Sequence, residues 1–234
     1  MQALILIPLF LSLINAAPTF SNTTVSNTTA PSTSLIQSLL LAPTAKDRLN
    51  LLPNPSDHVF DFNSPPPGTT TTGKGGHTVR ADREGFPALI GTGVSMTLGF
   101  LGPCGFNTPH THPRSSEINV VVKGSLVAEF QLENGAPNII NSVKTNQVTV
   151  FPQGALHTEF NPDCEDAVFV AGFASEDPGV QQAAQTLLGF EDDIVEAALG
   201  SLSGQDLEKW RAMVPANVAL GVESCLKKCG IQKK

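Results

Sequence analysis

Between residues 86 and 173 the chain alternates apolar and polar positions in short runs, broken by Gly, Pro and Asn. Val94, Met96, Leu98 and Phe100 fall at every second position, with smaller residues between them. A period of two puts these side chains on one face of a strand, and that face is expected to be buried. Glu117–Val122, Leu126–Leu132, Val148–Phe151 and Ala167–Phe173 read as further strands, with Gly124 opening the turn between the first two. Short strands separated by turn residues predict an antiparallel barrel or jelly roll.

The flanks follow other patterns. Leu35–Leu52 reads as a short helical or mixed segment, and Ser64–Gly76 is low-complexity and reads as loop or linker. Asp177-Pro178 has the form of an N-cap followed by proline at the first helical position. Gln181–Leu188 would be that helix, stopped by Gly189, and Asp192–Leu199 a second one, stopped by Gly200. Ser203–Asp206 resembles a capping box ahead of Leu207, Trp210 and Met213, and Pro215 breaks the pattern. The fold class is therefore mainly β: a single barrel core over residues 85–176, an N-terminal extension with a linker over 18–84, and C-terminal α-helices over 177–234.

Residues 1–17 read as a signal peptide, because an apolar run, Leu4–Ile14, is followed by the small residues Ala16 and Ala17. A membrane-spanning helix needs about 20 apolar residues, and Pro8 and the polar stretch that follows argue against one. Asn22 and Asn27 each open an N-glycosylation sequon in a Ser/Thr-rich stretch read as disordered. The formal charge is -7 with no basic patch, which excludes nucleic acid and anionic membrane surfaces as partners. Gly68–Lys74 matches the opening of a phosphate-binding loop, but Gly75 stands where a Ser or Thr would hold magnesium. No strand precedes it and no apolar helix follows, so the match is read as chance.

The chemistry concentrates in Pro109-His110-Thr111-His112-Pro113-Arg114-Ser115-Ser116-Glu117. Residues two apart on a strand share a face, so His110 and His112 converge on one point. Pro113 interrupts the ladder and permits a turn, after which Glu117 opens the next strand and points back. Downstream, Phe151–His157 reads as strand, tight turn and strand, with His157 facing the barrel interior and Asn161 ending the segment. Two imidazoles, a carboxylate and a third imidazole make a sensible metal site. The four cysteines allow two disulfides. Cys104 and Cys164 flank the two motifs and are expected to pair, which leaves Cys225 with Cys229.

These segments resemble the two boxes of the germins and germin-like cupins. The first box is His-x-His, three or four residues, Glu, six residues, Gly, present as His110, His112, Glu117 and Gly124. The second is Pro-x-Gly, two residues, His, three residues, Asn, present as Pro152, Gly154, His157 and Asn161. The likeness covers roughly residues 85–200 and is strongest toward the secreted fungal and slime-mould spherulins. It implies a cupin jelly-roll barrel in which His110, His112, Glu117 and His157 bind Mn2+. The sequence departs from the pattern where Cys104 and Asn146 replace the glycines that open each box. Of the two Asn that serve oxalate oxidation in this family, Asn107 matches one, while Thr97 takes the place of the other.

The resemblance thus implies a manganese oxidoreductase, secreted, extracellular or in the cell wall, with superoxide dismutation ahead of oxalate oxidation. Asn107 would hydrogen-bond a bound anion, whereas Asn119, on the face of Glu117, is expected to fill the barrel. Three neutral imidazoles and one carboxylate leave about two positions open on an octahedral ion, as catalysis requires. The alternatives are a non-enzymatic wall, spore or stress-associated metal-binding protein, and a small-ligand binder. The C-terminal helices would clasp neighbours in a homo-oligomer.

Overall fold

The computed structural model describes residues 35–200 and 204–232. The signal peptide, both sequons at Asn22 and Asn27, and Ser203 of the capping box lie outside the described residues. Helices α1 (Leu35–Leu41) and α2 (Ala45–Leu51) come first. Thr44 caps α2, its hydroxyl accepting from the Asp47 N–H at 3.1 Å. Leu39, Leu52 and Ile90 form a small core that ties this part of the chain to the turn at residues 87–89.

Ten strands follow: β1 (Thr70–Gly73), β2 (Gly76–Ala81), β3 (Ser95–Leu101), β4 (Gly105–Thr111), β5 (Glu117–Lys123), β6 (Ser125–Gln131), β7 (Ile139–Lys144), β8 (Val148–Phe151), β9 (Leu156–Phe160) and β10 (Ala167–Phe173). The C-terminal part carries β11 (Gln181–Gln182), α3 (Ala183–Leu187), α4 (Asp192–Ala198), α5 (Gly204–Met213), β12 (Ala219–Leu220) and α6 (Glu223–Cys229). One sheet runs β1-β2-β3-β10-β5-β8 and the other β11-β4-β9-β6-β7, with β12 also on β4. All pairings are antiparallel. The core lies between the sheets and is built from Leu101, Val121, Leu126, Phe151, Phe169 and their neighbours. Burying each such side chain contributes about 1.5–3 kcal/mol.

Several sequence expectations are corrected. The pattern puts Val94, Met96, Leu98 and Phe100 on a buried face, but in this part of the chain they point outward, and Val94 and Met96 are exposed. The inward residues of β3 are Ser95, Gly99 and Leu101. The ring of Phe169, opposite Gly99 in register, already fills the space where a Gly99 side chain would stand. The outer face of this sheet is consequently apolar, with Val94, Met96, Ile118, Val148 and Val150 all exposed.

Ser64–Gly76, read as loop or linker, contains β1 and the start of β2, and β2 pairs with β3. The sheet therefore begins ahead of residue 85. Threonines favour the pleated conformation, and Lys74-Gly75 makes the hairpin turn. A Cβ on Gly73 or Gly75 would overlap the backbone of Val218 and Ala219. These glycines thus serve close chain packing, and Gly68–Lys74 is no phosphate loop.

Asp177 caps no helix. Its carboxylate receives Arg83 at 2.7 Å and Arg114 at 2.6 Å, and Gln181–Gln182 pair with β4 before α3 begins.

The disulfides also pair differently. Cys104 joins Cys225 and Cys164 joins Cys229, with Cα–Cα distances of 5.6 and 5.4 Å. Cys225 and Cys229 lie one turn apart on α6, a spacing that suits two separate bridges to the barrel better than one to each other. Among the described residues, no helix is long and apolar enough to cross a membrane.

Candidate metal centre

His110 on β4 and His157 on β9 are directly opposed in the antiparallel ladder. The ladder shifts register between Asn107 and His110. A regular strand would send residues three apart to opposite faces; here both are buried beside the same cluster. His112 lies just past β4, and Glu117 opens β5 in the facing sheet. The turn between β8 and β9 has Gly154 at φ +80°, a conformation that glycine adopts without strain, and it delivers His157 to the interior.

Glu117 Oε2 lies 3.1 Å from His112 Nε2 and 3.2 Å from His157 Nε2. One ligand atom from each of His110, His112, Glu117 and His157 falls within 4.8 Å of all the others, and all four residues are buried. Each imidazole bonds a backbone carbonyl through Nδ1: His110 to Thr108 at 2.9 Å, His157 to Ala155 at 2.9 Å and His112 to Gly179 at 2.5 Å. A carbonyl only accepts, so each Nδ1 carries the proton and each Nε2 lone pair is left for the interior. This is how metal-ligating histidines are oriented. Three lone pairs and a carboxylate meeting in a buried space fit a first-row divalent ion.

The family model for the cupins matches residues 60–203. This chain is a cupin. It is 45% identical to Spherulin-1A of Physarum polycephalum over 201 residues, covering 86% of this chain and 81% of that one. It is 32% identical to oxalate oxidase 1 of Hordeum vulgare over 140 residues, covering 59% of this chain and 70% of that protein. Among solved structures, an oxalate oxidase in complex with the substrate analogue glycolate aligns with TM-score 0.55 at 27% identity, covering 66% of this chain and 76% of that one.

The electrostatics of the cupin interior follow from burial. Burial, reinforced by the neighbouring His157 and His112, lowers the His110 imidazole to about 3. Burial alone would raise Glu117, but the facing His112 and His157 outweigh it and hold the carboxyl well below its usual range. Burial likewise works against a charge on His157, yet Glu117 and Glu159 together raise its affinity for a proton.

The remaining predicted residues have distinct fates. Asn107 is buried beside the cluster, its Nδ2 3.4 Å from His110 Nε2. Asn119 fills the barrel and donates to Glu117 at 3.1 Å and Glu159 at 3.3 Å. Asn161, from the second box, is structural: its amide donates to the carbonyls of Leu101, Gly102 and Glu165. Thr97 lines the cavity that leads to the cluster.

That cavity has a volume of about 420 Å³ and includes a residue the motifs missed, Glu159. Burial and the charge of Glu117 push its carboxyl up to about 8. Its Oε2, like Asn107 Oδ1, has no protein partner among the described residues. The signal was available, because Glu159 is two residues from His157 on the same strand face. A larger apolar hollow of about 980 Å³ runs beneath Phe60, Phe62 and Phe86 on the outer side of the first sheet. The ionisable groups converge in the smaller cavity, so the chemistry is assigned there.

Proposed function

We propose that His110, His112, Glu117 and His157 hold one manganese ion, and that this cupin is a secreted oxidoreductase acting on a small molecule. The observation that carries the reading is the set of three imidazoles, each tied by Nδ1 to a backbone carbonyl, with Nε2 of His112 and His157 beside Glu117 and His110 in the same cluster. Bound manganese supplies a one-electron couple with coordination positions open to a small ligand. The chain's own residues orient and bury that centre. Asn107, whose Nδ2 lies 3.4 Å from His110 Nε2, would donate to an anion bound there, and the roughly 420 Å³ cavity admits only small molecules. With Thr97 on its wall in place of an amide, superoxide dismutation is favoured over oxalate oxidation.

Two disulfides support an oxidising, extracellular or wall location. The exposed apolar face bearing Val94, Met96, Ile118, Val148 and Val150 supports a homo-oligomer. The test is superoxide decay, with oxalate-dependent peroxide formation in parallel, using metal-loaded protein and its Glu117→Gln variant. Turnover lost in the variant is the expected result. A fully metal-loaded protein that turns over neither compound would leave the alternative, a wall, spore or stress-associated metal-binding protein.

A further inference from the structure

We propose that Asn217 and Gln182, from the C-terminal part of the chain, form a binding pair for the carboxylate of a small hydroxycarboxylate ligand. The inference rests on the reading above that this cavity serves a metal centre and a small molecule, and names an organic ligand class for it. Both side chains line the same cavity as His110, His112 and Glu117. Gln182 stands opposite His110 in the β11–β4 register.

Thr108, buried on β4, decides how both amides are turned. Its backbone N–H donates to Asn217 Oδ1 at 2.8 Å. A backbone N–H cannot accept, so Asn217 presents its oxygen to Thr108 and its NH2 faces elsewhere. The Thr108 hydroxyl has one hydrogen, and its closest acceptor is Gln182 Oε1. That leaves the Gln182 NH2 equally uncommitted. Neither NH2 group has a hydrogen-bond partner among the described residues.

The aspartates on the same lining are already engaged. Asp82 receives Arg80 at 2.7 Å and the backbone N–H groups of Glu84 and Gly85. Asp177 receives Arg83 and Arg114. The spare polar groups contributed by the C-terminal chain are therefore donors, which suit a carboxylate. The cavity also holds a buried acceptor without a partner, Asn107 Oδ1. It calls for a donor on the same ligand, which a hydroxyl supplies and a dicarboxylate lacks.

The test is calorimetric titration of the manganese-loaded protein with glycolate and with oxalate, alongside Asn217→Asp and Gln182→Glu. Each variant keeps the oxygen that accepts from Thr108 and replaces the NH2 with a carboxylate oxygen. Glycolate is expected to bind more tightly than oxalate. Either variant should weaken glycolate by about 10-fold or more, the scale of one charge-assisted hydrogen bond, with metal content unchanged by elemental analysis. Glycolate binding equal to wild type in both variants, or tighter binding of oxalate, would overturn the proposal. Failure of the wild-type protein to take up metal counts against the metal reading instead, and titration of the metal-free protein then still reads the amide pair.

Discussion

His110 and His157 face each other across the β4–β9 ladder with ring centroids 4.2 Å apart, and each bonds through Nδ1 to the carbonyl two residues before it. Each strand thus orients its own imidazole. His112 is held differently, by the carbonyl of Gly179, 67 residues along the chain. Residues 177–179 are secured in turn by Arg114, whose Nε donates to the Asp177 carbonyl at 2.8 Å and whose N–H donates to Pro178.

Arg114 is therefore expected to matter more for metal affinity than for stability. Its ion pair with Asp177 is solvent-exposed and contributes little by itself. A lysine keeps the charge but loses the planar fork that reaches both the carbonyl and the carboxylate. Arg114→Lys should weaken manganese binding about 10-fold, the effect of disturbing a ligand's outer partner. The melting temperature of the metal-free protein should move by no more than about 2 °C. Chelator competition and thermal melts separate the two effects.

Metal uptake should release a proton. Ligation needs neutral imidazoles, and Glu117 and Glu159 raise the proton affinity of His157 despite burial. Calorimetry of manganese binding in buffers of different ionisation enthalpy should report net proton release that grows as pH falls. Without metal, His110 acts on stability in the acid range. It stays neutral in the fold down to about 3 but takes a proton at about 6.5 when unfolded. The unfolded state then binds more protons, so this contribution to stability is lost as pH falls from 6.5 toward 3.

Glu159 has the opposite sign. Its carboxyl rises from 4.5 to about 8 in the fold, so the native state binds the extra proton. The contribution is fully present below 4.5 and is lost as pH climbs toward 8. Glu159→Gln removes the buried ionisation. The metal-free variant should melt at least about 3 °C above wild type at pH 8, and the gap should close near pH 4.5.

These residues also mark how far the sequence could be read. Period-two spacing placed His110 with His112, and turn residues delimited Val148–Phe151 and Ala167–Phe173. The same spacing says which side chains share a face but not which face is inside. Val94 and Met96 ended up outside because Phe169 occupies the space at Gly99, a tertiary relation that no local pattern encodes. The threonine run at residues 70–72 was hidden by its low complexity. Asn217 and Gln182 carry no motif, and they reach the cavity only because β11 and β12 fold back onto β4.

The cysteine pairing was illegible for the same reason, since it depends on where α6 docks. There Cys225, Leu226 and Cys104 share a small core. Removing Cys104–Cys225 by a double Ser substitution should cost about 2–5 kcal/mol. Denaturant titration is expected to show this loss while Cys164–Cys229 stays oxidised. A loss below about 0.5 kcal/mol would mean that α6 docks without the bridge.

The most direct measurement is elemental analysis of the purified protein from a metal-replete host, beside a His110→Ala, His157→Ala double variant. The account predicts about one manganese per chain in the wild type and none in the variant. Wild-type protein without stoichiometric metal, or a variant that retains it, would contradict the assignment of these residues as the metal centre.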